Sequence, residues 1–465
     1  MDDAFNPASA LGLAAFDALS AEDEPWLASC YVPPAEFSLM AGARSALIYG
    51  ESGSGKTALR YALERTWRQS EQAGSWLAVE WPLNALVGAA QNPAGSPLAA
   101  LQQAQVYDVV ARALLRFLGQ RPGLWQNAPD WARTTLVWFI RRSFLGDAAT
   151  YIASLAADPA LADPTALHTI LAAEPTDLLS PDSPPTFVVR QLTEGLNRLG
   201  VPGIRILVDN VEPWWEVAPE RLGDGLYAFL SILALFEHPG FVYKMLLPAG
   251  LSPRLNQATG VVRRRVQTFR LDLSEAELVA VLERRVATAL GRPRFALQEL
   301  GPAVQLRDWL AGCGGSSPRG WLETGRAFVA AYLACRQRTG SSQPLTAEEC
   351  RDVQQRHPPH VWIDQANCTV IVGWRRVEGL GPGHLGVLRY LLDHPGQLCS
   401  RKQLYKAYIE SYPGEHADSE ARPVEYAGVL DSALWRLRER IEPIPNGPQV
   451  LVETRKGQGV VLRTL

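Results

Sequence analysis

The chain has 465 residues, 47% of them hydrophobic and 20% charged, with a formal net charge of −3. These values exclude a disordered or fibrous protein and leave a soluble globular one of roughly two to four domains. A charge so close to neutral supplies no global attraction for nucleic acid or anionic lipid, so any such binding has to come from a local patch.

From the N-terminus, "MDDAFNPASALG" is acidic where a secretory signal is basic, and no later run has the apolar length of a membrane span. The expected location is the cytoplasm, with no membrane partner. The cysteines, Cys30, Cys313, Cys335, Cys350, Cys368 and Cys399, show no CxxC pair and no metal-ligand spacing, which predicts reduced, mostly structural thiols. After an N-terminal segment, 1–40, the strongest local pattern is "RSALIYGESGSGKTALRYALERTW". The apolar run Ala46 to Tyr49 predicts a strand, a glycine-rich turn follows, and Leu59, Leu63 and Trp67 recur at helical spacing. Gly50, Gly55, Lys56 and Thr57 fit G-x-x-x-x-G-K-[ST] between that strand and that helix, which is the context the motif needs. Backbone N–H groups of Gly50, Glu51, Ser52, Gly53, Ser54 and Gly55 can curl around phosphates at the helix N-terminus. Lys56 then neutralises the terminal phosphates and the Thr57 hydroxyl ligates magnesium, so ATP and Mg2+ are the expected cofactors.

"SWLAVEWPL" predicts a second strand, and helical patterns such as "QVYDVVARALLRFLG" and "TTLVWFIRRSFL" run on to about residue 200, with a helical insertion at 95–180 and a proline-rich loop at "LLSPDSPPTF". The continuous apolar runs "GIRILVDN" and "FVYKMLLPAG" suit a parallel sheet covered on both faces, so 41–272 is expected to be an α/β core. Asp209 ends the first run, where a P-loop site needs a carboxylate for the magnesium shell; an ordinary turn aspartate is the plainer alternative. Asn210 follows, where many ATPases place a glutamate that orients water. Glu212 is the nearest substitute, and a water-directing role and a surface-loop role both stay open. Binding is therefore better supported than turnover, and any ATPase activity is expected to be slow. From "DLSEAELVAVLERRVATAL" to Arg338 the pattern is helical, with Asp272 or Ser274 to cap the first helix, and 339–358 is polar, ends at Pro358 just before Pro359, and suits a linker.

Over about residues 40 to 338 the glycine-rich motif, the Asp209 strand, the helical lid and "GGSSPRGWL" resemble the AAA+ and STAND NTPases, particularly the branch like the origin-recognition ATPases. The resemblance implies that Arg319 is a sensor-2 arginine that touches the γ-phosphate; taken alone, Arg319 is a helix-start residue after Pro318. Two departures stand out. Pro248 occupies the place of a polar sensor-1 residue, and no arginine finger can be chosen among Arg254, Arg263, Arg264 and Arg265, which leaves a homo-oligomer open.

The final region, 359–465, has a different texture: short strands, a helix carrying Leu385, Leu388, Leu391 and Leu392, a turn at "HPGQ", and a second helix that Ser400 can cap. A third helix, "DSALWRLRERI", places Leu430, Leu434, Leu437 and Ile441 on one stripe, leaving Ser432, Trp435, Arg436 and Glu439 outward with Arg438 and Arg440 beside them. "QVLVETRKGQGVVLRTL" then predicts a hairpin with Arg455 and Lys456 at its tip.

This frame resembles the winged helix of the OmpR/PhoB-type regulators over about the last hundred residues, through "DHPGQLCSRKQL", "LDSALWRLRERI" and "TRKGQGVVL". The resemblance implies double-stranded DNA as partner, contacted by Trp435, Arg436, Arg438 and Arg440 on the helix, Arg455 and Lys456 on the wing, and Arg401 and Lys402 at the second helix. Ala433 stands where the family often has histidine, Val460 where the wing often has an aromatic, and "GPGH" where a Thr-x-x-Glu cap is common. From residue 358 on, 13 basic side chains face 12 acidic ones, well short of a strongly basic domain. The combination predicts a nucleotide-switched DNA-binding protein that controls transcription. An ATP-driven DNA-loading enzyme and a defence or signalling scaffold whose winged helix holds a protein partner are the alternatives.

Overall fold

The computed structural model describes residues 12–16, 21, 26–68, 76–81, 98–146, 148–155, 167, 183–236, 238–258, 266–340, 342–364, 369–411, 426–445 and 447–464. They form two compact units: Pro33–Leu271, and Met1–Val32 together with Asp272–Leu465.

The first unit is built on five parallel strands, β1 (Ala46–Gly50), β2 (Leu77–Glu80), β3 (Ile204–Val208), β4 (Phe241–Pro248) and β5 (Gln267–Arg270), in the order β2-β3-β4-β1-β5. β1, β3 and β4 are buried at every position, as suits mainly apolar strands covered on both faces, although Arg205 in β3 and Lys244 in β4 are buried with them. On one face Leu59, Leu63 and Trp67 of α1 (Lys56–Arg68) pack on Ala46, Ile48, Leu207 and Leu246. The other face is covered by α2 (Leu98–Gln120), α3 (Asp130–Ser143), α4 (Pro185–Arg198), α5 (Glu212–Val217) and α6 (Pro219–Leu230), through side chains such as Leu114, Phe139, Leu192 and Leu226. Each such side chain, fully buried, stabilises the fold by about 1.5–3 kcal/mol. The described part of the 95–180 insertion is helical, and the remainder of that range lies outside the described residues. Strand β5 was not anticipated from the sequence: "QTFR" is short, and only Phe269 of its residues is buried.

The second unit opens with a short 3-10 turn, Gly12–Phe16, whose Ala15 and Phe16 join the core of α7 (Glu275–Ala289), α8 (Ala303–Gly314) and α9 (Pro318–Thr339). Of the two candidate caps for α7, Ser274 is used, in a reciprocal box with Glu277. Within the segment expected to link this lid to the C-terminal region, Ala347–Arg356 form a further helix, α10, capped by Thr346 and Glu349, and Cys350 and Val353 are buried in the lid's core. Then come an antiparallel sheet of β6 (Val361–Asp364), β7 (Thr369–Val372) and β8 (Arg375–Val377), the helices α11 (Pro382–Leu392), α12 (Arg401–Glu410) and α13 (Tyr426–Ile441), and a hairpin of β9 (Val452–Arg455) and β10 (Gly459–Leu462). This is a winged helix-turn-helix. Ser400 caps α12 in a box with Gln403, and the Leu430, Leu434, Leu437 and Ile441 stripe of α13 is buried in the core of the winged region. Cys30, Cys313, Cys335, Cys350 and Cys399 are free thiols, and Cys368 lies outside the described residues. Among the described residues no helix is long and apolar enough to cross a membrane.

Lys244 in β4 is fully buried, and its Nζ donates to the Arg44 carbonyl at 2.6 Å. Burial pushes its pKa down to about 7, and neighbouring Arg205, held between Trp67 and Trp76, adds to the fall. Between pH 7 and the ordinary lysine value the unfolded chain holds a proton that the folded chain lacks, so stability rises with pH across that window, by up to about 1.4 kcal/mol per pH unit. In Lys244→Met this slope is expected to disappear, with a Tm at pH 7 no lower than wild type. Thermal unfolding from pH 7 to 10 checks it, and an unchanged slope would remove Lys244 as its source.

Candidate functional site

β1 ends at Gly50 and α1 begins at Lys56, so the intervening loop has to fold back over the strand end. Gly53 and Gly55 take φ of 77° and 92°, the left-handed region where side chains are strained. A Cβ on Gly50 would lie 2.4 Å from Ser54 Oγ, so a side chain there would have to displace that hydroxyl. Lys56 is 5% exposed. Its Nζ donates to the carbonyls of Gly50 at 2.9 Å and Glu51 at 2.8 Å and stands 2.8 Å from Glu212 Oε1. The ammonium is thus enclosed by oxygen acceptors, one of them an ionisable carboxylate brought in by the first residue of α5.

The sheet order sets β1 and β3 on either side of β4, which brings Asp209, just past the end of β3, beside the loop. Asn210, immediately after it, takes a left-handed φ of 60°, one of the few conformations asparagine tolerates better than most side chains. Asp209 is buried, and burial raises its pKa; the Asn210 N–H and the Arg60 guanidinium work against this, Glu212 adds to the rise, and the Thr57 hydroxyl lowers it. Its carboxylate thus stands against the Thr57 hydroxyl. A carboxylate and a hydroxyl side by side suit a magnesium ion, which takes carboxylate, hydroxyl and water oxygens and retains several waters. Thr57 and Asp209 fit such an ion.

Two residues of the cluster were missed from the sequence. Arg60 Nε lies 3.2 Å from Asp209 Oδ2 while its Nη1 donates to Glu80 Oε1 at 2.7 Å, so one buried guanidinium bridges the ends of β3 and β2. The spacing of Lys56 and Arg60, four apart on one helix face, was the available signal. Glu80 could be found only once β2 was known to lie beside β3. Pro248 pairs in register with Gly50, so the position beside the loop offers no polar side chain. Arg254 is ion-paired with Glu220 and, at 2.8 Å, with Asp224, both on α6. Arg263, Arg264 and Arg265 lie outside the described residues. Arg319 belongs to the other unit, as the second residue of α9, where Pro318 occupies the first turn and its guanidinium stands 5.9 Å from the ring centre of Trp374.

In the winged region the eight cationic and aromatic candidates separate into two groups. Trp435 is 57% exposed, and Arg436, Arg440, Lys402, Arg455 and Lys456 are exposed as well. Arg401 is instead paired with Asp431 of α13. Arg438 turns inward: its Nε donates to the Val452 carbonyl at 3.0 Å, its Nη2 meets the Thr454 hydroxyl, and burial lowers its pKa. These two arginines fasten α12 to α13 and α13 to the hairpin. Ala433, the position where the regulator family often has histidine, is buried in the helix interface.

No family model matches the chain, and no curated protein does. Among solved structures, the chain is similar to the Klebsiella pneumoniae RstA DNA-binding domain in complex with the RstA box, at 24% identity over 23% of this chain and 93% of that one, with a TM-score of 0.17. It is also similar to the Aeropyrum pernix ORC2 protein in ADPNP-ADP complexes, at 10% identity over 95% of this chain and 94% of that one, TM-score 0.34. The Aeropyrum pernix ORC1 protein in complex with DNA shows 14% identity over 98% of this chain and 94% of that one, TM-score 0.33.

The division between inward and outward arginines is measurable. Arg438→Ala removes two hydrogen bonds to the hairpin and is expected to cost about 1–3 kcal/mol of unfolding free energy, whereas Arg436→Ala should stay within about 0.5 kcal/mol of wild type. Urea unfolding of the two variants decides it; equal losses would contradict the assignment.

Proposed function

We propose that the protein binds a purine nucleoside triphosphate with magnesium at Gly50–Thr57 and double-stranded DNA through its winged helix, and that nucleotide occupancy switches DNA binding to control transcription. The observation that carries this reading is the enclosure of Lys56: a buried ammonium held at the mouth of a glycine loop, against a single displaceable carboxylate. A triphosphate presents more negative charge on more oxygens and can also accept from the loop's N–H groups, so it competes with the glutamate for the ammonium. Magnesium, held by Thr57 and Asp209, would screen the charge between the outer phosphates. Arg60 keeps the Asp209 carboxylate from turning away, and Glu80 holds Arg60. Asn210 in place of a glutamate leaves no general base directly after Asp209, which supports slow turnover and a switch rather than a motor. On the DNA side, Trp435 with Arg436 and Arg440 supplies apolar and cationic contact from one exposed helix face, and Lys456 with Arg455 supplies phosphate contact from the wing.

The test is duplex-DNA affinity of the wild type and of Lys56→Ala, each with and without MgATP, across a salt series. For the wild type, ATP is expected to change the DNA Kd by a factor of about 5–150, the usual range of coupling between sites. Lys56→Ala should show no ATP effect and an unchanged salt slope. DNA-stimulated turnover with sequence-tolerant binding would favour a loading enzyme, and no DNA binding by either protein, with ATP or without, would favour a protein-binding scaffold. A second prediction concerns Glu212. If it competes with phosphate for the ammonium, Glu212→Gln should tighten MgATP binding about twofold to fivefold, the scale of a partly exposed ion pair. Titration with a fluorescent nucleotide measures this, and weaker binding in the variant would mean that the carboxylate serves the bound state instead.

A further inference from the structure

The recognition helix and the lid are joined by more than chain connectivity. Arg375, at the start of β8, sends Nε to the Gly312 carbonyl at the end of α8 at 2.7 Å. Its two Nη groups reach the last carbonyls of α13 and beyond: Arg440 at 3.1 Å, Ile441 at 3.3 Å and Glu442 at 3.1 Å. One guanidinium thus satisfies carbonyls at the C-termini of two helices, where a cation is favoured by both helix dipoles and by otherwise unpaired acceptors. Beside it the Trp374 N–H donates to the Cys313 carbonyl at 2.7 Å and the indole Nε1 to Glu323 at 2.7 Å. The fit is close: a Cβ on Gly312 would lie 1.9 Å from the Pro443 carbonyl oxygen, and one on Gly320 would lie 2.7 Å from Trp374. Arg319, the second residue of α9, stands over the same indole.

We infer that Arg375 is a positioning residue that clamps the DNA-reading helix to the lid, so that α13 and the Arg319 helix turn as one body and the nucleotide state is passed on as a rigid movement. A winged domain on a loose tether would lose that information in its own rotation. Here the carbonyls at the end of α13 are tied directly to α8, and Trp374 ties β8 to α9. The clamp itself stands on the contacts above; the signalling role rests on the reading that nucleotide occupancy controls DNA binding.

The experiment places a pair of site-specific noncanonical labels at Gln337 on α9 and Ser432 on α13, both exposed positions, in the full chain. Their distance distribution is measured in the labelled chain, and the DNA Kd with and without MgATP in the unlabelled one. The wild type should give one narrow distance. Arg375→Ala and, independently, Gly312→Val should broaden it and bring the ratio of DNA Kd values with and without ATP toward one, while MgATP retention stays at the wild-type level. Arg375→Lys, which keeps the charge but not the fork, should lie between them. Should Arg375→Ala fail to fold, Gly312→Val carries the test. A broad distance in the wild type overturns the inference, as does a narrow distance with a full ATP response in both variants. A narrow wild-type distance that both variants broaden, with no ATP effect on DNA in the wild type, leaves the clamp standing and sinks the switch.

Discussion

A cation enclosed by protein has to be matched by oxygen, and the ammonium of Lys56 is the point where this requirement shapes the first unit. Its two carbonyl partners belong to the residue that ends β1 and the residue after it, so the lysine fastens the loop to the strand that launches it. Its third partner, Glu212, comes from beyond β3, so the same charge also ties the ends of two strands separated by β4. Asp209 and Arg60 form a second pair just behind the first, and Glu80 extends the chain of charges to β2. Ion pairs of this kind, the Arg60–Asp209 pair buried and those with Glu212 and Glu80 partly exposed, are weak sources of stability, because desolvation or solvent screening offsets much of the attraction. Their presence at the strand ends is better explained by a site whose charges are to be rearranged by an anion than by a need for a firmer core.

The winged region follows a different logic. Its cations are divided between holding the domain together and facing outward. Arg438 and Arg401 give up exposure to fix the geometry of α13, and that geometry leaves Trp435, Arg436 and Arg440 on the outside. Glu442, buried at the end of α13, accepts the N–H groups of Val450, Leu451 and Val452 and so sets where the hairpin begins. A near-neutral domain can still present a cationic face when an acidic group such as Glu442 is buried inside and another, Asp431, is taken up by Arg401.

Much of the fold was legible from local pattern. The apolar runs at Ala46, Ile204 and Phe241 could be nothing but covered strands, the Leu430 to Ile441 stripe has the period of a packed helix, and Ser274 and Ser400 announce helix starts. The glycine loop was legible because a left-handed backbone, taken here at Gly53 and Gly55, is one that few residues other than glycine adopt. What local pattern could not supply were contacts across long separations. Glu80 meets Arg60 only through the sheet order, Arg438 is diverted from the surface by a hairpin that follows it, and Arg375 meets Gly312 and Glu442 across more than sixty residues in each direction. The helix at Ala347–Arg356 was hidden because its sequence is polar, with a single narrow buried edge at Cys350, Val353 and Gln354.

Coupling between two binding sites is reciprocal: whatever ATP does to the affinity for DNA, DNA must do to the affinity for ATP by the same factor. The most direct measurement is therefore the MgATP Kd of the full chain, with and without saturating duplex DNA, at one salt concentration. The account predicts that the two values differ by the factor by which ATP changes the DNA Kd. Equal values, or no binding of MgATP at all, would contradict it.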